Sequence, residues 1–257
     1  IVPQDGKIEV TFFNNLGQVA LTTTAIATHP AHVVIYDNNL SSLYGLNGLI
    51  KSDPEWYRIQ FKMPELVPQH KLHAHIYSNF KIACLHAPMA AAFNEMEESE
   101  EYIQSIYNSL TGMHQLYKTD AHSLNKTGIC EGELIGGNLS LLAHIIGTKS
   151  DINIKNKILF IEDIGEYKYN IDRMLMQLKR AGKLEALAGL IVGNFTEMKD
   201  TIIPFGKNTD EIIFDAVKEY NYPVCFDFPV GHTQKNYALK IGTVYKLSIN
   251  NDAVVLE

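Results

Sequence analysis

Cysteine is scarce in this chain, and what there is cannot pair in an orderly way. Cys84, Cys130 and Cys225 are odd in number, far apart and include no C-x-x-C, so a disulfide framework is excluded and three reduced, buried thiols are expected. Basic residues are also short: 22 Lys and Arg stand against 29 Asp and Glu, a net charge of -7 with no Lys/Arg block anywhere. That balance argues against nucleic acid as the main partner, because phosphate binding needs a basic face. No apolar run approaches the roughly 20 residues that cross a bilayer, so no membrane partner is expected. The opening stretch "IVPQDGKIEV" lacks the basic and apolar regions of a signal peptide, although the chain begins at Ile1 rather than Met. Phosphate-cradling loops are missing too: no Gly-Lys-Ser/Thr and no G-x-G-x-x-G occurs.

What is present is ordinary globular material, 46% hydrophobic and 20% charged over 257 residues, enough for one and a half to two domains. Strand-like, β-branched runs open the chain in "KIEVTFF", "QVALTTTAIAT" and "HVVIYD". Residues 95–117 read as a helix, acidic in its first turns, with Ile103, Ile106, Leu110 and Met113 at helical spacing and Gly112 interrupting late. The polar stretch 119–128 is the best linker, which places one domain over 1–120 and a second over 121–257. Beyond it strands and helices alternate: "ICEGELIGG", a helix from Asn138, "KILFI", a helix from about Ile171 to Ala181, "LAGLIVGNF", a helix across 209–220, and "PVCFDF". This is the rhythm of an α/β sheet with crossover helices, and "YALKIGTVYKLSINNDAVVLE" should close it as antiparallel strands.

Four stretches could carry chemistry. "ILFI" is apolar throughout, as befits a central strand covered on both faces, and Glu162 and Asp163 follow at its carboxyl end, where ligands of such sheets gather. Strand neighbours point opposite ways, so one carboxylate can face a pocket while the other caps or pairs with the following helix; both can equally be surface or capping acids. His232 follows a second apolar strand in "DFPVGHTQKN", and a carboxylate beside an imidazole would fix its tautomer. "LIGGNLSLL" reads as strand, Gly136-Gly137 turn and helix capped by Asn138, with Leu139, Leu142, Ile145 and Ile146 as its buried stripe. His73, His75 and His86 form a weak metal pattern that no H-E-x-x-H completes.

Taken together, "LHAPM", "LIGGNLSLL", "GTKSD", "ILFIEDIGEYKYNIDRMLMQLKRAGKL", "LAGLIVGNF" and "FPVGHTQKNYALKIG" resemble the LD-carboxypeptidase family of serine peptidases, which includes microcin-immunity hydrolases. The likeness runs in order from about residue 72 to 257. It implies an N-terminal Rossmann-like (amidotransferase-like) domain and a C-terminal α/β domain. It implies a cytoplasmic homodimer, needing no metal or other cofactor, that removes the terminal D-alanine from murein tetrapeptides. The family's Ser-His-Glu triad carries over as His232, the general base, and Glu162, its orienter. Asp163 would be an outward, structural neighbour, Glu166 the fallback acid on the substrate side, and Gly136, Gly137 and Asn138 the lining of the pocket.

The serine does not carry over. Between "DPEW" (53–56) and "LHAH" (72–75), which match the flanks of the family's nucleophile turn, no serine occurs, and an ungapped count puts Val67 at its place. The oxyanion-hole loop G-G-Y-G has only "YGLNG" (44–48) as a poor echo. Ser52 and Ser78 lie on the wrong side of Trp56 and too far along, respectively. A muropeptide-binding relative without catalysis is therefore the second reading.

Overall fold

A computed structural model describes residues 7–13, 19–29, 32–35, 58–61, 77, 81, 83–88 and 96–257, with side chains from Glu100 onward in the first helix. The chain divides into two compact units, Ile1–Gln69 and His70–Glu257. In the first, β1 (Lys7–Phe13), β2 (Val19–His29), β3 (His32–Ile35) and β4 (Arg58–Phe61) pair antiparallel in the order β3-β2-β1-β4. Among the described residues, the parallel strands of the α/β class lie in the second unit.

That unit is built on a seven-stranded mixed sheet. Its strands are β6 (Tyr117–Asp120), β7 (Gly128–Asn138), β8 (Ile158–Ile164), β9 (Gly189–Thr196), β10 (Val224–Cys225), β12 (Val244–Ile249) and β13 (Ala253–Leu256), in the order β10-β9-β8-β7-β12-β13-β6. The first four pair parallel and the last three antiparallel, as the alternating C-terminal sequence predicts. β5 (Cys84–His86) and β11 (Leu239–Ile241) form a separate antiparallel pair. Helix α1 (Met96–Thr111) precedes β6, and α2 (Leu139–His144), α3 (Lys168–Arg180) and α4 (Thr209–Val217) occupy the parallel crossovers.

The parallel strands are central because they are apolar on both faces. Ile158, Leu159, Phe160 and Ile161 are all at most 1% exposed, and Leu190, Ile191 and Val192 on β9 are at 0%. Helix α3 adds a stripe of Ile171, Met174, Leu175 and Leu178, each contributing roughly 1.5–3 kcal/mol of burial. It ends where Gly182 turns left-handed at φ +69°, with paired closing bonds from Gly182 to Lys179 and Lys183 to Leu178. Helix α4 starts in a reciprocal capping box between Asn208 and Glu211.

Several boundaries differ from the sequence reading. α3 begins three residues early, because Tyr167 bridges Lys199 and Lys168 N–H bonds the Lys199 carbonyl, fixing a first turn that has no apolar periodicity of its own. α2 is only 6 residues long and buries Leu139 and Ala143, while Leu142 and Ile146 are partly covered. The Gly136-Gly137 pair is no turn. It continues β7, in register with Phe160 and Ile161 of β8. The polar stretch 119–128 does not separate the compact units: β6 pairs with β13 inside the second one, and Tyr117, 2% exposed, donates its hydroxyl to the Ala238 carbonyl. None of the three cysteines forms a disulfide, and burial pushes the Cys84 and Cys130 thiols up to about 11 and Cys225 further.

Candidate active site

Parallel strands β7, β8 and β9 end at one edge of the sheet, and the polar residues that follow their apolar runs meet there. Asn138 ends β7 opposite Glu162 of β8. Past β10 the chain continues alongside β9, with Phe228 N–H on the Val192 carbonyl and Asn194 N–H on that of Val230. This brings the next loop across the end of β8, and His232 Nδ1 lies 2.8 Å from Glu162 Oε2. The predicted convergence of acid and imidazole is therefore what the fold produces.

Glycine makes the approach possible. A Cβ at Gly193 would stand 2.3 Å from the Val230 carbonyl oxygen, so the loop could not lie on β9. At Gly231, φ +135°, a Cβ would press on the Asn194 backbone and on Glu162 Cβ.

Glu162 is 1% exposed whereas the His232 side chain is 37% exposed. Burial lifts the Glu162 carboxyl above its ordinary value and the neighbouring charge of Asp163 adds to this, while His232 and the Asn138 amide act against it; the net direction is up. Because a carboxylate only accepts, the Nδ1 nitrogen carries the proton in this contact, which in a neutral ring leaves the lone pair on Nε2. That arrangement can receive a proton from a hydroxyl or water and hold the resulting imidazolium against a buried anion.

Asp163 is structural but not outward. It is 2% exposed and accepts bonds from Asn138 Nδ2, Ser140 N–H, Ser140 Oγ and Ile164 N–H at 2.8–2.9 Å, which ties β8 to the start of the preceding helix α2 rather than the following one. Asn138 is the N-cap of α2, accepting from Leu141 N–H. Glu166 does not reach the histidine: it accepts from Asn170 Nδ2 at 2.9 Å and lies 3.3 Å from Ser140 Oγ. Gly136 is a packing position, since a Cβ there would fall 1.9 Å from the Phe160 carbonyl oxygen. Gly137 has nothing within 4 Å of that point and borders open space.

Asn194 stands at the same edge without having been singled out from the sequence, although a polar residue directly after "LIVG" carries the same signal as Glu162 after "ILFI". His73, His75, Val67, Ser52 and Ser78 lie outside the described residues. His86 packs edge-on against Phe160, with 4.9 Å between ring centroids. No group of three His, Cys, Asp or Glu side chains that could hold a metal ion occurs among the described residues.

Fold and site thus define a class: an α/β domain with a buried carboxylate and a half-exposed imidazole paired at the carboxyl ends of its parallel strands. Residues 131–247 match the family model described as the LD-carboxypeptidase C-terminal domain, and through this domain the chain belongs to the LD-carboxypeptidase family. Among relatives, it is 32% identical over 189 residues to the probable murein peptide carboxypeptidase of Bacillus subtilis, covering 72% of this chain and 59% of that protein. It is 27% identical over 238 residues to the microcin C7 self-immunity protein of Escherichia coli, covering 89% of this chain and 65% of the relative. The crystal structure of muramoyltetrapeptide carboxypeptidase from Oxalobacter formigenes superposes with a TM-score of 0.66 at 27% identity, over 72% of this chain and 64% of that one. The chain therefore spans less than two thirds of each of these relatives.

Proposed function

We propose that this protein is a carboxypeptidase of murein peptides that releases the terminal D-alanine of tetrapeptides by a serine-type mechanism. The observation that carries the reading is the 2.8 Å contact between His232 Nδ1 and the buried Glu162 carboxylate, at the sheet edge of a domain whose relatives bear carboxypeptidase names. In this reading His232 takes the proton of the attacking hydroxyl at Nε2 and returns it to the leaving amino group. Glu162 holds the ring in the required tautomer and stabilises the transient imidazolium. Gly137 lines the substrate side, Gly136 and Asn138 shape that edge through packing and capping, and Glu166 faces the substrate away from the histidine. In this reading the unit Ile1–Gln69 supplies the nucleophile and the unit His70–Glu257 the acid–base half. The resemblance also supports a cytoplasmic homodimer acting without metal or other cofactor.

One observation favours a second reading. No serine occurs from 57 to 71, the stretch that matches the family's nucleophile turn, which suits a relative that binds muropeptides without cleaving them. Incubation with murein tetrapeptide, with and without chelator, separates the two. Release of D-alanine insensitive to chelator supports the carboxypeptidase; saturable binding without release supports the silent relative and sinks the first reading.

A further inference from the structure

His232 sits on a loop with few regular backbone bonds, yet its ring must be held to within a fraction of an ångström to serve as a base. One side chain outside the acid–imidazole pair grips that loop on both sides of the histidine. Asn194, half-buried at the end of β9, donates Nδ2–H to Asp227 Oδ1 at 3.0 Å. Its Oδ1 accepts from Thr233 Oγ1 at 2.9 Å, a hydroxyl proton shared with the Lys235 carbonyl at 2.8 Å. The amide can be oriented only one way, since Asp227 has nothing to donate. The Asn194 backbone is engaged as well: its N–H bonds the Val230 carbonyl, and its own carbonyl lies 3.1 Å from where a Gly231 Cβ would stand. Asp227, at φ +54°, is one of four non-glycine residues held left-handed among the described residues, a conformation that needs an external hold. The far side of the loop is closed separately, where Gly231 N–H bonds the buried Asn236.

We propose that Asn194 is a positioning residue: by strapping Asp227 to Thr233 it fixes the loop between them, so that His232 Nδ1 meets Glu162. The inference rests on the carboxypeptidase reading for its kinetic consequence, but not for its structural one. Asn194→Ala removes both bonds. Asn194→Asp keeps the acceptor for Thr233 and sets a carboxylate against Asp227. The exchange Asn194→Asp with Asp227→Asn keeps the Thr233 bond and restores the bond between 194 and 227 with donor and acceptor reversed, and no side chain dedicated only to filling space would respond to that exchange.

The test uses the full chain and two readouts. With murein tetrapeptide, Asn194→Ala and Asn194→Asp are expected to lower kcat about 100-fold with KM within about twofold, and the exchanged pair to recover most of the loss. By proton NMR, the hydrogen-bonded Nδ1 proton of His232, assigned by its disappearance in His232→Ala, should vanish in the single variants and return in the exchanged pair. Wild-type kcat in Asn194→Ala, or a loss that the exchange does not repair, overturns the proposal. If the wild-type chain releases no D-alanine, the functional reading fails on its own and the NMR signal decides: retained in Asn194→Ala it overturns the proposal, lost there and restored in the exchanged pair it upholds it.

Discussion

Under the carboxypeptidase reading, Glu162 and His232 divide a task that neither can do alone, and their unequal exposure is the reason. A carboxylate at 1% exposure is costly to ionise, so its charge is worth having only where a proton arrives beside it. On that reading, replacing His232 with alanine should lower kcat on murein tetrapeptide by about 10^6-fold, and Glu162→Gln by about 10^4-fold, both with KM little changed; steady-state kinetics checks this. Stability should move the other way. The folded-state value of Glu162 lies above its ordinary one, so the folded chain binds this proton more readily than the unfolded chain. Its contribution is therefore most favourable below the ordinary carboxylate value and is lost as pH rises through the raised folded value. Glu162→Gln, neutral at every pH, should leave the melting temperature at pH 7–8 equal to or above that of the wild type, and should remove this component of its decline between acid and neutral pH. A lower melting temperature for the variant at neutral pH would mean that the anion is net stabilising there.

At the scale of elements, parallel register explains both what the sequence revealed and what it concealed. β8 and β9 were legible because a fully covered strand must be apolar at every position, and Glu162 because polarity begins abruptly at its end. His232 was legible for the same reason, one strand further along. The Gly136-Gly137 pair was misread as a turn because glycine serves both turns and close strand approach, and only the neighbouring strand says which. Here the two glycines differ sharply. Gly136→Ala forces a methyl into the Phe160 carbonyl at a positive φ and should cost about 3 kcal/mol or more, from strain and overpacking together. Gly137→Ala meets no atom and carries the strain alone, about 1 kcal/mol. Urea denaturation of the two variants should rank them in that order, and under the carboxypeptidase reading only the milder Gly137→Ala should raise KM without unfolding the protein. The nucleophile was not legible at any scale: its place in the family pattern falls in 57–71, where the residue types themselves differ.

For the whole molecule, the decisive question is where the acid–base half can be cut. The polar composition of 119–128 suggested a boundary at 120, and the family model begins nearby at 131. Yet the buried core runs from Tyr77 to Leu256, and β6 lies on the amino-terminal side of that boundary while forming the last strand of the sheet. Composition sees that 119–128 is polar, but it cannot see that Tyr117 is clamped to Ala238, or that Ser105 of α1 accepts the Ala238 N–H at 2.8 Å. Removing residues 1–120 would strip β13 of its outer partner β6, leave the backbone groups on that edge open for pairing with other chains, and uncover the Tyr237 and Phe228 rings packed on Tyr117. A fragment of residues 70–257 keeps all of these contacts. It should unfold in one cooperative transition and retain the hydrogen-bonded His232 Nδ1 proton, whereas a fragment of residues 121–257 should melt several degrees lower or aggregate, since losing about 2–3 kcal/mol shifts a domain of this size by that much. Equal melting temperatures for the two fragments would restore the boundary at 120 and make α1 and β6 parts of the nucleophile half instead.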